Sequence, residues 1–246
     1  MSKFFIPREN ISGNTLIIKG EDVKHITKVL RLGVGDIITC CDGMGNDYES
    51  KISHLSSEIE CEIMNTTKVE TEANIRVILI QGIPKAAKMD YIIQKTTELG
   101  ICEIYPCEMA RCVSKPEGGK KTERWQKIAM EAAKQSGRGI VPIVHDSIKL
   151  PQAIEILKSA DVSFIPYECE ENNYLKPILQ SAKSPKIVAF MIGPEGGFDK
   201  DEIEKLTSYN IPSVSLGKRI LRTETAGEAV LAMVMYEIGD INGQNE

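Results

Sequence analysis

Two short stretches near the C-terminal end hold the residue types best suited to chemistry. The first is MIGPEGGFDKDEIE, where Gly193, Pro194, Glu195, Gly196 and Gly197 separate an apolar run from an acidic, helical one. Glycines in such number let a ligand approach the backbone closely. The loop is not a phosphate-binding Walker loop, because no Lys-Ser/Thr follows the glycines, and it is not GxGxxG. Glycines without a phosphate motif suit a flat or uncharged group such as adenine or ribose, though the same loop also serves as a tight strand–helix connection. The second stretch is LGKRILRTET, with Lys218, Arg219 and Arg222 set around Ile220 and Leu221. Basic heads interleaved with apolar residues suit RNA on one side and a small cofactor on the other. A solvated, salt-bridged loop is the plainer reading.

Each loop follows a strand pattern and leads into a helix. IVAFMI precedes the first and IPSVS the second. Asp199 with Glu202, and Thr225 with Glu228, have the spacing of capping boxes. In open α/β sheets, ligands bind beyond the carboxyl ends of the strands, where helix N-termini also point their free N–H groups.

The elements that position these loops read as two domains. Residues 1–70 give short strands with turn signals: LIIKG, GDIITCCDG and IECEIM, bounded by glycines. One helix is expected at about Glu21–Leu32, with Val23, Ile26, Val29 and Leu30 on an apolar face and Lys24, Lys28 and Arg31 on a basic one. NTTKVETEAN (Asn65–Asn74) reads as the linker. From residue 74 to 246 strands and helices alternate, which implies a mainly parallel sheet covered by helices on both faces. In the helix Ala87–Leu99, Met89, Ile92, Ile93, Thr96 and Leu99 form the buried stripe. Trp125 belongs to the core of a helix at Lys121–Ser136.

The bulk properties narrow the class. With 246 residues, 42% hydrophobic and 26% charged, the chain has a globular composition. No apolar run reaches membrane-span length, and MSKFFIPREN has no signal-peptide core, so a cytoplasmic protein with no membrane contact is expected. Seven cysteines without a CxxC pair fit reduced thiols and no metal site. The net charge of −5 argues weakly against nucleic acid, but net charge is not patch charge.

Together, IGPEGGFDKDEIE and SLGKRILRTETA resemble the signature of the SPOUT methyltransferases of the RsmE type, the 16S rRNA (uracil-N3)-methyltransferases. HITKVLRLGVGD (His25–Asp36) is similar to that family's PUA-like RNA-binding domain, and KMDYIIQKTTELGICEIYP and RWQKIAMEAAKQSGR also look like it. The resemblance covers nearly the whole chain, in order; glycine at Gly227 is a mild departure. It implies an α/β fold with a C-terminal trefoil-knotted SPOUT domain and a mainly parallel sheet, an N-terminal PUA-like β-barrel domain, and a homodimer. It implies S-adenosylmethionine held by three loops: Ile165, Pro166 and Tyr167, running on to Glu168; Gly193, Pro194, Glu195, Gly196 and Gly197; and Leu216, Gly217, Ile220 and Leu221, running on to Arg222. The substrate would be 16S rRNA of the small ribosomal subunit.

That reaction needs alignment and loss of the imide proton of uracil N3, and a cation to stabilise the resulting charge. Arg222 is the candidate for the cation. Glu195 or Glu224 would orient it or take the proton, with solvent as the other acceptor. RNA contacts are expected from His25, Lys28, Arg31, Lys85, Lys88, Arg138 and Arg219, with Lys95, Lys120, Lys121 and Arg124 as further phosphate contacts. Two alternatives stay open: a 2′-O-ribose methyltransferase, and a non-catalytic RNA-binding assembly factor that would bind RNA without cofactor.

Overall fold

The computed structural model describes residues 3–85, 87–113 and 118–241. The chain divides into two compact units: residues 1–72 with 133–141, and residues 73–132 with 142–246. The segment around Arg138, expected in the second domain, therefore counts with the first.

The first unit is a six-stranded sheet in the order β1-β4-β5-β6-β3-β2. The strands are β1 (Lys3–Phe5), β2 (Ile11–Ser12), β3 (Thr15–Ile18), β4 (Ile37–Cys41), β5 (Asn46–Leu55) and β6 (Ile59–Lys68). All pairings are antiparallel except β1 with β4. Alternate residues turn inward: Leu16 and Ile18, Ile38 and Cys40, Ile59 and Cys61 are all buried. The expected linker begins later than its composition suggests. Asn65–Lys68 continue β6, because they pair with Asn46–Glu49 across the sheet.

The expected basic helix is short. α1 (Glu21–Lys24) widens into a π turn over His25–Val29. Ile26 is buried, but Val29 is 69% exposed, against its assignment to the apolar face. The wider turn breaks the 3.6-residue period that the assignment relied on.

The second unit is a parallel sheet in the order β10-β8-β7-β12-β11-β13, with β9 on β8. Its strands are β7 (Arg76–Gly82), β8 (Glu103–Glu108), β9 (Ile143–Val144), β10 (Ile148–Lys149), β11 (Val162–Pro166), β12 (Ile187–Ile192) and β13 (Ser213–Val214). Its helices are α2 (Lys88–Glu98), α3 (Gly118–Ser136, whose end counts with the first unit), α4 (Leu150–Ser159), α5 (Leu175–Ser181), α6 (Lys200–Ser208) and α7 (Thr223–Ile238). Both faces of the sheet are covered. On one, Val77, Leu79, Phe164, Val188 and Phe190 pack with Ile92, Trp125, Leu175, Val230 and Val234 from α2, α3, α5 and α7. On the other, Ile78, Ile80, Ala189 and Met191 pack with Ile154 and Leu157 of α4 and Leu206 of α6. Strand alternation sends neighbouring residues to opposite layers, so a strand buried on both sides reads as an unbroken apolar run. Met89, Ile92, Ile93 and Thr96 are all buried, and Gly100 closes α2 at φ +95°.

Candidate active site

A cavity of about 890 Å³ lies at the carboxyl ends of β11, β12 and β13. Three loops wall it. From the end of β11 come Pro166, Tyr167, Glu168, Glu170, Glu171, Asn172 and Tyr174; after β12, Gly193, Pro194, Glu195 and Gly197; after β13, Ser215 to Arg222. Lys88, at the start of α2, completes one side.

Each loop is held by groups of known identity. In the first, the Glu170 carboxylate accepts from Ser213 Oγ at 2.6 Å and from the N–H groups of Asn172 and Asn173 at 3.0 and 3.1 Å. The Ser213 hydroxyl leads the bonds that hold Glu170 below the usual carboxylate range. Asn173 Nδ2 donates to Ser213 O at 2.7 Å, and Ser215 N donates to Asn173 O at 2.7 Å, so this loop is sewn to β13.

In the glycine loop, Gly197 sits at φ +67°, and a Cβ there would meet Glu168 Oε1 at 2.5 Å. The left-handed conformation favours glycine here, and a side chain would also have to displace the Glu168 carboxylate. Thr223 Oγ1 donates to Gly193 O at 2.6 Å and accepts from Gln81 Nε2 at 2.9 Å. Gln81, fully buried at the end of β7, thus links β7, the glycine loop and the start of α7. On the outer side, Arg111 donates to Gly196 O at 3.0 Å and to Asp199 at 3.3 Å. Glu202 accepts from Asp199 N at 2.9 Å, completing the expected capping box, and from Ala110 N at 2.8 Å.

Lys88 and Glu195 of the cavity wall form one cluster with Glu224 of α7. Lys88 Nζ lies 3.2 Å from Glu195 Oε1 and 3.1 Å from Glu224 Oε2. Glu195 also accepts from Lys85 N at 3.1 Å. Burial pushes both carboxyls up, but backbone N–H groups and the Lys88 ammonium outweigh it and hold both below the usual range. The Arg222 charge adds to this at Glu224. Lys88 is raised in turn, chiefly by Glu224.

Several expected site residues are placed differently. Ile165 is wholly buried in the core beneath its loop and does not line the cavity. Gly196 faces outward: a Cβ there would meet Arg111 Cβ at 3.0 Å, and the residue is absent from the wall. Arg138, expected to face RNA, is 4% exposed and paired with Glu72 at 2.6 Å. Glu72 also accepts from the N–H groups of Gly139 and Ile140, so the arginine closes a turn within its own unit. Lys88, expected on phosphate, is engaged by two carboxylates. α7 starts at Thr223, with Arg222 as N-cap, three residues before the expected Thr225 cap. The Thr223 hydroxyl is drawn instead to Gly193. His25, Lys28, Arg31, Lys85 and Arg219 are exposed. Sequence reasoning passed over Gln81, Thr223 and Arg111. Only Gln81 left a signal, as a lone amide at the end of the apolar run VILIQG.

This architecture agrees with known proteins. A family described as RNA methyltransferase domain matches residues 71–235, and one described as RNA methyltransferase PUA domain matches residues 18–63. The chain is 36% identical over 237 residues to Ribosomal RNA small subunit methyltransferase E of Bacillus subtilis (strain 168), covering 93% of each. The chain belongs to the RsmE-type rRNA methyltransferase family. A second family member, from Mesomycoplasma hyopneumoniae (strain 232), is 35% identical over 92% of this chain and 95% of its own length. The crystal structure of the Neisseria gonorrhoeae family member bound to S-adenosyl methionine superposes with a TM-score of 0.85 at 33% identity, covering 98% and 99% of the two chains. The expected α/β fold with a PUA-like N-terminal domain is that of the family.

Proposed function

We propose that the protein transfers a methyl group from S-adenosylmethionine to N3 of a uridine in 16S rRNA of the small ribosomal subunit, and acts in the cytoplasm as a homodimer. The observation that carries this reading is the meeting of three loops on one cavity at the carboxyl ends of a parallel sheet. The residues fit the cofactor. Gly193 and Gly197 bring their backbone to the cavity wall, Leu216, Phe198 and Ala226 offer apolar wall, and Glu168, Glu170 and Glu195 supply negative charge for a sulfonium. When bound, the cofactor supplies an electrophilic methyl: the N3–carbon bond forms as the carbon–sulfur bond breaks, and its electron pair stays on sulfur.

In this reading Pro166, Tyr167, Gly193, Pro194, Gly197, Leu216, Gly217, Ile220 and Leu221 hold the cofactor. Arg222, exposed at the N-terminus of α7 on the cavity wall, reaches the uracil. Glu195 and Glu224 orient cations. Held below the usual carboxylate range, they are poor matches for a group that must take a proton near neutral pH, so the N3 proton leaves to water. The first unit binds RNA through His25, Lys28 and Arg31, with Lys85 and Arg219 contributing from the second. Exposed apolar side chains on α2 and α7, Tyr91, Met233 and Tyr236, support pairing of two copies. A trefoil knot in the second unit is part of the same proposal.

Nucleoside mass spectrometry tests the reaction. Small subunits from a strain lacking this protein, incubated with the protein and labelled S-adenosylmethionine, are expected to gain one 3-methyluridine. A 2′-O-methylated nucleoside would overturn the base assignment, and no product despite subunit binding would favour a non-catalytic role.

A further inference from the structure

Lys88 is placed unlike a lysine that serves RNA phosphates. Its ammonium is 3.2 Å from Glu195 on the glycine loop and 3.1 Å from Glu224 on α7, and its side chain is only 33% exposed on the cavity wall. Two carboxylates and one ammonium leave one negative charge over, and Arg222 acts on Glu224 from the adjoining position. Lys88, Glu195 and Arg222 on the cavity wall, with Glu224 behind Lys88, thus set two anions beside two cations. Lys218, Arg219, Glu168, Glu170 and Glu171 are the other charged groups on the wall.

Uracil sets a matching requirement. N3 is flanked by two carbonyl oxygens, one on either side. Loss of the imide proton spreads one negative charge over N3 and both oxygens, and a single cation meets only one of them. We propose that Lys88 is a catalytic residue that donates to one carbonyl oxygen beside uracil N3 while Arg222 serves the other, so that the two cations together stabilise the uracil anion. The inference rests on the N3 reading above. Glu195 and Glu224 keep the ammonium in place before the base enters, which is the preorganisation that makes a charge effective in a reaction. The imide proton goes to water.

Lys88→Gln and Lys88→Arg are compared with the unaltered protein in single-turnover methylation of small subunits, across pH, with cofactor affinity measured by calorimetry. A second set of subunits carries 5-fluorouridine, whose ring fluorine makes N3 more acidic. Lys88→Gln is expected to slow methylation about 100-fold, as loss of one preorganised donor does. Cofactor affinity is expected to hold, since the contact is made to the other substrate. The rising limb of the pH profile moves to higher pH, fluorouridine restores much of the rate, and Lys88→Arg stays close to the unaltered protein. Because the neutral variant leaves two carboxylates facing each other, Lys88→Gln is also made together with Glu195→Gln, with Glu195→Gln alone as its reference. An unchanged rate would overturn the proposal. So would a rate that falls in step with cofactor affinity and is not rescued by fluorouridine, which would make Lys88 a support of the glycine loop. If the unaltered protein forms no 3-methyluridine, the N3 reading falls, and the role of Lys88 with it.

Discussion

At the scale of single residues, Arg222 and Thr223 are neighbours with opposite duties. Arg222 points to solvent at the cavity wall, and Thr223 is buried and fastens Gly193. Arg222→Ala is expected to abolish methyl transfer with cofactor affinity largely kept; single-turnover rates beside calorimetry decide this, and near-normal turnover removes the arginine from the chemistry. Thr223→Val keeps the shape but leaves Gly193 O without its donor, while Gln81 Nε2 keeps only its bond to Gly82 O. Unpaired buried groups cost about 1–3 kcal/mol, so cofactor affinity should fall about tenfold or more as the loop loosens, and Thr223→Ser should restore it. The charged trio has a defined pH window. Glu195 and Glu224 lie below their ordinary 4.5, so their contribution to stability is present above that value and is lost as pH falls through the depressed folded values. Lys88 lies above its ordinary 10.5, so its contribution is complete below 10.5 and is lost only as pH rises through the raised value. Methylation should therefore tolerate neutral and mildly alkaline pH without disruption of this cluster, and melting curves taken across pH would show where it fails.

At the scale of elements, the glycine loop and the helices around it depend on one another. Gly197→Ala would force a side chain into a left-handed backbone and onto Glu168 Oε1, which lies 2.5 Å from the new atom. The backbone strain alone costs about 1–2 kcal/mol. Cofactor affinity, read by calorimetry, should fall about tenfold or more, and an unchanged affinity in a folded variant would mean that the loop is only a turn. Gly196 is the instructive contrast. The two glycines are adjacent and chemically identical, yet one faces the cavity side and the other faces Arg111. Composition marks the loop; only its path tells the two apart. The start of α7 has a similar cause. Thr225 and Glu228 have cap spacing, but Gly193 and Gln81 hold Thr223 from outside the helix, and the helix begins there.

At the scale of the whole molecule, Arg138 separates a structural cation from an RNA-facing one. It is 4% exposed and bound to Glu72 within the first unit, so Arg138→Ala leaves that carboxylate with two backbone N–H donors but no counter-charge and should cost about 3 kcal/mol, visible as a lower melting temperature. Glu72→Ala combined with Arg138→Ala should cost less than the two single changes summed, because each already breaks the same pair. A folded, equally stable Arg138→Ala protein with weaker subunit binding would return this residue to the RNA surface. The parallel sheet with helices on both faces, the buried stripe of α2, the Asp199 capping box and the two loops that bear on the cavity were legible in the amino-acid pattern. These follow from local periodicity and turn chemistry, which need no knowledge of distant partners. The pairing of Lys88 with Glu195 and Glu224, the joining of three segments by Gln81, the burial of Arg138 and the outward face of Gly196 were not legible there. Each of these depends on residues tens of positions apart in the chain meeting in space, and the spacing of residues along a sequence carries no record of such a meeting.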